Sequence, residues 1–210
     1  MKLASLSRGG RDGTLVVVDR ALTQAVAVPD IAPTLQCALE QWATLAPRLA
    51  KVHTELVAGR RHDAFAFDAA ACASPLPRSY QFRDGSVYLY HMEKARRARS
   101  VEMPPNHRTE PLMYEGMSDS FYGPREPLQL PDEALELDYE AEVAIIVDDV
   151  PMGIRATDAG SHILLVMLLN DVTARALTRT ELPKGFGFLQ SKPTSAFSPV
   201  AVTPDELGTA

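Results

Sequence analysis

The sequence is poor in the features that mark several protein classes. It has only two cysteines, Cys37 and Cys72, each alone, without a CxxC pair or a neighbouring histidine pair. That argues against a zinc site or a disulfide framework and fits a reducing compartment. Positive charge is also scarce: 21 basic against 27 acidic side chains leave a net charge of −6. Such a balance grips phosphate backbones poorly, so nucleic acid is not an expected partner. The longest apolar run, Ile163–Leu169, falls far short of the ~20 residues of a membrane helix. The first ten residues hold no apolar run long enough for a signal peptide. No internal repeat or low-complexity tract is visible, and the expectation is a cytoplasmic protein with no membrane partner.

What is present is ordinary for a globular chain: 210 residues, 46% hydrophobic and 23% charged. A chain of this size hides roughly 70% of its unfolded surface, enough for a real core, and its length suits one large domain or two small ones. Residues 1–30 alternate apolar runs (Lys2–Leu6, Thr14–Val18, Ala25–Val28) with turn signals, among them Gly-Gly-Arg-Asp-Gly at 9–13, and read as a small antiparallel β unit. From Thr34, the apolar positions Leu35, Ala38, Leu39, Trp42, Leu45, Leu49, Val52 and Leu56 trace a helical stripe. Pro47 inside it predicts a kink, or two helices with Pro47 in the first turn of the second, and Gly59 predicts the stop. Arg60–Asp63 reads as a surface turn. The Ala/Pro-rich stretch Ala69–Pro77 has few residues able to pack, which places a boundary near residue 77. Further on, strands are expected at Asp138–Val147, Val166–Asp171 and Pro199–Thr203. A short helix capped by Thr157 is expected to run to about Leu165, with a helical turn at Thr173–Thr180. Strands and short helices without a regular βαβ rhythm indicate an α+β fold.

The segment Leu137–Val147 carries the strongest chemical signal. Side chains on a strand alternate faces, so Glu140 and Glu142 point the same way, roughly 6–7 Å apart at their roots. On local grounds this also reads as an exposed strand end with a polar face. The same face continues as Ala144 and Ile146, however, so the glutamates open a strand that soon turns apolar on both sides. Two unneutralised carboxylates beside a core repel each other and are poorly solvated, and a cation relieves both problems. A further acid, Asp171, stands where the run Ile163–Leu169 emerges, a position that equally suits helix capping. An all-carboxylate set selects a hard cation, Mg²⁺, Mn²⁺ or Ca²⁺, over zinc or copper.

Taken together, Asp138-Tyr-Glu-Ala-Glu-Val-Ala, Asn170-Asp-Val-Thr-Ala-Arg175, and Lys192 at 21 residues after Asp171 resemble the fumarylacetoacetate hydrolase family, best between Asp84 and Val202. The resemblance implies that Glu140, Glu142 and Asp171 ligate a divalent metal. Asp84 and His91, seven residues apart, match the fourth ligand and the catalytic histidine of members that cleave fumarylacetoacetate. Read alone, Asp84-Gly85 is a tight hairpin turn and His91 a surface histidine. Arg175 and Lys192 match positive groups that meet substrate oxygens, and Tyr114 resembles a substrate-contacting tyrosine. The implied fold is a mixed β-sandwich roll: a small N-terminal α/β domain over residues 1–77, then a metal-binding catalytic domain over 78–210.

The implied activity is a Mg²⁺-, Mn²⁺- or Ca²⁺-dependent hydrolase that cuts a carbon–carbon bond in a fumarylacetoacetate- or acylpyruvate-like 1,3-dicarbonyl. Neutral His91 takes a proton from water, and Lys192 and Arg175 stabilise the alkoxide. Decarboxylation or isomerisation of 2-oxo acids on the same metal site is the alternative within enzymes. A non-catalytic module is the alternative outside them. Dimerisation is expected by family analogy. Two departures bear on these expectations: Thr178 stands where the family often has glutamine, and the family's roll continues for roughly a hundred residues past the position of Ala210.

Overall fold

A computed structural model describes residues 1–98, 100–129 and 131–208. Its centre is an eight-stranded sheet in which every pairing between strands is antiparallel, which with its helices makes the fold α+β. Strands β1 (Lys2–Leu6), β2 (Thr14–Val18) and β3 (Gln24–Ala27) form the expected meander, extended by β4 (Phe65–Ala66). The loop joining β1 to β2 needs glycine: Gly13 has a φ of +68°, and a Cβ there would meet the Leu6 carbonyl oxygen at 2.7 Å.

Two helices cover one face of this meander. Helix α1 (Leu35–Leu39) begins at Thr34, whose hydroxyl accepts the Cys37 amide, and α2 (Trp42–Val57) ends at Gly59 with a φ of +67°. The break therefore lies at Glu40–Gln41, and Pro47 sits inside α2 rather than in its first turn. Leu35, Leu45, Leu49, Val52 and Leu56 point inward and pack with Leu3, Leu15, Val17 and Val26 of the sheet. The stretch expected to pack poorly is in fact mostly interior. Cys72 and Ser74–Pro77 are buried, the Ala73 amide donates to the Ser5 carbonyl, and the Ser5 hydroxyl donates to the Pro75 carbonyl. Prolines and alanines pack there because neighbouring strands supply the bulk that they lack.

The later part of the chain joins the same sheet. After β5 (Arg83–Asp84), α3 (Leu89–Ala98), β6 (Tyr114–Glu115) and β7 (Leu137–Asp138) come the two long strands β8 (Ala141–Val147) and β9 (Ile163–Asn170). Then follow β10 (Thr173–Ala174), a helix over Arg175–Glu181, β11 (Ala196–Phe197) and β12 (Ala201–Val202). Strand β12 pairs with both β9 and β1, so Val202 lies opposite Lys2 on one side and Val166 on the other. One core accordingly includes Leu3 and Leu49 together with Leu165, Met167 and Phe197. The helix expected to reach Leu165 is shorter: α4 spans Ala156–Ala159 and has no side-chain cap from Thr157, and the strand begins at Ile163. The apolar run that follows is β-branched and leucine-rich, and it finds a partner strand on each side. The helix at Arg175–Glu181 is α5. Among the described residues, no helix is long and apolar enough to cross a membrane.

Candidate metal centre

One long and two short pairings bring distant acids together. In the β8–β9 ladder Ala141 pairs with Asn170, and just beyond it the Asp171 amide donates to the Glu140 carbonyl at 3.0 Å. In the β7–β10 ladder Asp138 pairs with Thr173, which fixes the start of the glutamate segment beside the end of β9. In the β5–β6 ladder Asp84 lies opposite Tyr114. Behind this last pair, Phe82 packs edge-on against Phe121 and Phe197 with centroids 5.6 and 6.2 Å apart, which ties β5 to β11 and through it to β9. Gly116 permits that packing, since a Cβ there would lie 2.4 Å from the Phe82 ring.

As a result, one carboxylate oxygen each from Asp84, Glu142 and Asp171 lies within 4.8 Å of the others. Two oxygens bound to one ion at about 2.0–2.6 Å can be no more than about 5.2 Å apart, so this spacing suits a shared hard cation. The electrostatics agree. Glu142 is pushed up to about 7, by burial first and then by the charges of Asp84 and Asp171. Asp84 is raised as well, by burial and by Asp171, although the Ser86 amide bonded to it at 2.7 Å works the other way. Asp171 is only 1% exposed. Two half-buried acids raised above their ordinary range beside a buried third, with oxygen donors throughout, fit Mg²⁺, Mn²⁺ or Ca²⁺.

Glu140, expected among the ligands, is not in this group of three. It lies just before β8 rather than within it, and two cations hold its oxygens: Lys192 Nζ at 2.6 Å from Oε2, and the Arg175 guanidinium at Oε1. Burial pushes Glu140 up, but these two partners outweigh it and its carboxyl falls below the usual range. Lys192, 6% exposed, also donates to Asp171 Oδ2 at 2.5 Å, which makes it the link between the paired acid and the cluster. Arg175 is held on its other side by Asp138 at 2.7 Å. The Tyr114 hydroxyl donates to Asp171 at 2.5 Å, and burial together with the Asp171 charge raises its pKa far above the usual phenol range. His91 stands apart. It is exposed on α3, and among the described residues it makes no hydrogen bond to the acids. Thr178 turns its hydroxyl to the Arg175 carbonyl at 2.8 Å, so it does not replace the donor that a glutamine would supply.

Four contributors carry no signal that sequence reasoning picks out as functional. The Ser195 hydroxyl donates to Asp171 Oδ1 at 3.2 Å, and Asn170 Oδ1 accepts the Glu140 amide at 3.2 Å. Phe188 packs edge-on against Tyr114 at 4.9 Å, and Glu181 binds the backbone ahead of Lys192. Ser195 and Phe188 have no periodic pattern because loops place them near the site, and Glu181 is the last residue of a short helix whose sequence gives it no mark. Asn170 is visible as the neighbour of Asp171 but reads only as a cap.

The family model described as Fumarylacetoacetase N-terminal domain 2 matches residues 1–78, and the one described as Fumarylacetoacetate (FAA) hydrolase C-terminal matches residues 81–210. The human mitochondrial oxaloacetate tautomerase FAHD2B is 32% identical over 127 residues, 59% of this chain and 37% of that protein. An uncharacterized Pyrococcus abyssi protein is 27% identical over 121 residues, 58% of this chain and 53% of its own length. The chain thus spans about half or less of these curated relatives. Among solved structures, the fumarylacetoacetate hydrolase of Exiguobacterium antarcticum superposes with a TM-score of 0.62 at 19% identity, covering 100% of this chain and 68% of that one. Maleylpyruvate hydrolase from Sphingobium sp. SYK-6, solved with manganese(II) and pyruvate, gives 0.63 at 15% identity, covering 98% and 68%. These two likenesses concern the fold. With both family models matched along almost its whole length, the chain belongs to the fumarylacetoacetate hydrolase family.

Proposed function

We propose that this chain binds a divalent cation on Asp84, Glu142 and Asp171, with Glu140 beside them, and acts on a small 2-oxo acid by moving a proton between its keto and enol forms. The observation that carries this reading is the convergence of three carboxylate oxygens within 4.8 Å, with a buried lysine on one of them. A cation held there supplies Lewis-acid polarisation of the substrate carbonyl. Lys192, itself buried, brings a positive charge to the place where negative charge develops on the substrate oxygen. Tyr114 stays protonated and keeps Asp171 turned toward the cluster. Arg175, engaged by Asp138 and Glu140, acts by fixing the glutamate segment, and its free donors remain for a substrate carboxylate. The tautomerase name of the human relative supports this choice of reaction.

Cleavage of a 1,3-dicarbonyl carbon–carbon bond is the second reading, favoured by the spacing of Asp84 and His91. It requires the α3 segment to bring His91 to the acids so that it can take a proton from water.

Mn²⁺ titration by calorimetry tests the centre: wild type is expected to bind saturably, and Glu142→Gln and Asp171→Asn to lose that binding while remaining folded by circular dichroism. Unchanged Mn²⁺ affinity in both variants would remove the assignment. Following the ultraviolet absorbance of enol-oxaloacetate, and the products formed from an acylpyruvate, then separates the two reactions. In the second reading His91→Ala lowers acylpyruvate turnover by about 10²-fold or more.

A further inference from the structure

Helix α5 reaches the site with both of its ends. At the N-terminal end Arg175 holds Glu140 and Asp138. At the C-terminal end the Glu181 carboxylate accepts the backbone amides of Gln190 at 2.8 Å and Ser191 at 2.9 Å, and also the Ser191 hydroxyl. Ser191 is fully buried, and its carbonyl accepts the Ala174 amide at 2.8 Å from the residue just before α5. The next residue is Lys192, with its ammonium between Glu140 and Asp171.

The chain between these anchors cannot hold the lysine by itself. Gly185 and Gly187 lie at φ +80° and +87°, and Phe186 and Leu189 are largely exposed. Such a segment opens at little cost. A lysine side chain also gives up much rotamer freedom when fixed, so a loosely held backbone would leave its ammonium poorly placed. A carboxylate that accepts several N–H and O–H donors is a strong local anchor.

We propose that Glu181 is a positioning residue for Lys192. By clamping the 190–191 backbone to the end of α5, it sets where the lysine ammonium sits between Glu140 and Asp171, while making no contact with the acid cluster. Glu181 thereby gives the helix that orients Arg175 control of the second cation as well. The kinetic consequence rests on the proposed 2-oxo acid chemistry of the site, whereas the placement of Lys192 does not.

The test uses the whole chain without metal. The side-chain ammonium resonance of Lys192, assigned by its loss in Lys192→Arg, is followed in ¹⁵N–¹H spectra with amide exchange at Gln190 and Ser191. Glu181→Ala and Glu181→Gln are expected to broaden or abolish that resonance and to speed exchange at both amides, while Glu181→Asp restores part of it. With Mn²⁺ and oxaloacetate, kcat is expected to fall about tenfold with KM within about twofold, as for a misplaced catalytic group. A folded Glu181→Ala protein with an unshifted Lys192 resonance overturns the proposal, as does an equal loss in kcat and gain in KM with the resonance intact. Should Glu181→Ala not fold, Glu181→Gln and Ser191→Ala decide the question by the same two readouts. A wild type that neither binds Mn²⁺ nor turns over oxaloacetate, yet responds in the resonance as expected, sinks the enzymatic reading and supports the placement.

Discussion

The meander at the start of the chain and the β8–β9 pair near its end lie in one sheet but are built on opposite terms. In the meander, Leu3, Leu15, Val17 and Val26 have no exposure at all, and helix α2 lays Leu49 onto them. In β8, Val143, Ile145 and Val147 face outward, Leu168 beside them is 64% exposed, and the strand's start brings the half-buried Glu142 next to the buried Asp171. The first region is held by the removal of apolar area from water, roughly 25 cal/mol per Å². The second spends burial on charges, whose desolvation costs several kcal/mol per ion unless they are paired well. Strand β9 serves both ends: Leu165, Met167 and Leu169 join the shared core, and the chemistry gathers where the strand stops.

The sharpest way to break this comparison is to remove the cation that makes the buried acids tolerable. Lys192→Met leaves Asp171 and Glu140 facing each other without their shared partner, and removing one member of a buried pair costs about 3–5 kcal/mol. Urea unfolding is expected to register that loss, and added Mn²⁺ to return part of it by mass action, as it would for an ion taken up by the folded cluster alone. An unchanged midpoint would mean that the acids are solvated and the electrostatic account of this half is wrong. Leu49→Ala, in the dry half, is expected to cost about 2–5 kcal/mol through lost burial and a residual cavity. Mn²⁺ should restore none of the difference between Leu49→Ala and wild type, and restoration would show that the two halves are coupled.

The dry half is the more legible in sequence. Short apolar runs on either side of a glycine-rich turn mark β1 and β2 at their observed bounds, and the stripe from Leu35 to Leu56 marks the helices, because burial on one face writes its period into the chain. What fails there depends on neighbours. The break between α1 and α2 falls at Glu40–Gln41 although Pro47 is the stronger local signal, and Cys72–Pro77 is largely buried by strands distant in sequence. At the site, the acids of β8 and β9 can be read as a set, but their division cannot. Whether Glu140 faces the other carboxylates or Lys192 and Arg175 is decided by where those two cations arrive, and a glycine-bearing loop and the start of α5 fix that. The N-terminal and later segments also share one sheet through β12, a pairing of residues about two hundred positions apart that no local pattern announces.

Acid titration gives a smaller effect in the same terms. Burial raises Glu181, but the Ser191 hydroxyl and the amides of Leu189, Gln190 and Ser191 outweigh it and bring the carboxyl down to about 2, from an ordinary 4.5. A folded-state pKa below the unfolded one stabilises fully above about pH 4.5, and that share is lost as pH falls from there through about 2. Wild type minus Glu181→Gln should therefore shrink over this window in unfolding experiments at fixed ionic strength. A difference that is constant from about pH 6 to about pH 2.5 would show that Glu181 contributes no charge-dependent anchoring.

The smallest expected effect is the strictest control on the comparison. Ile145 is half exposed on the outer face of β8, beside Val143 and Val147, and its partner across the ladder is Val166. Ile145→Ser keeps the backbone ladder and removes apolar surface that already touches water, so the change in stability should stay within about 0.5 kcal/mol. The inward neighbour Ile146, only 7% exposed, should cost several times more when cut to alanine. If Ile145→Ser costs as much as Leu49→Ala, with a midpoint that depends on protein concentration, then this face is covered in solution. The contrast between a dry half and an open half would then belong to the isolated chain alone.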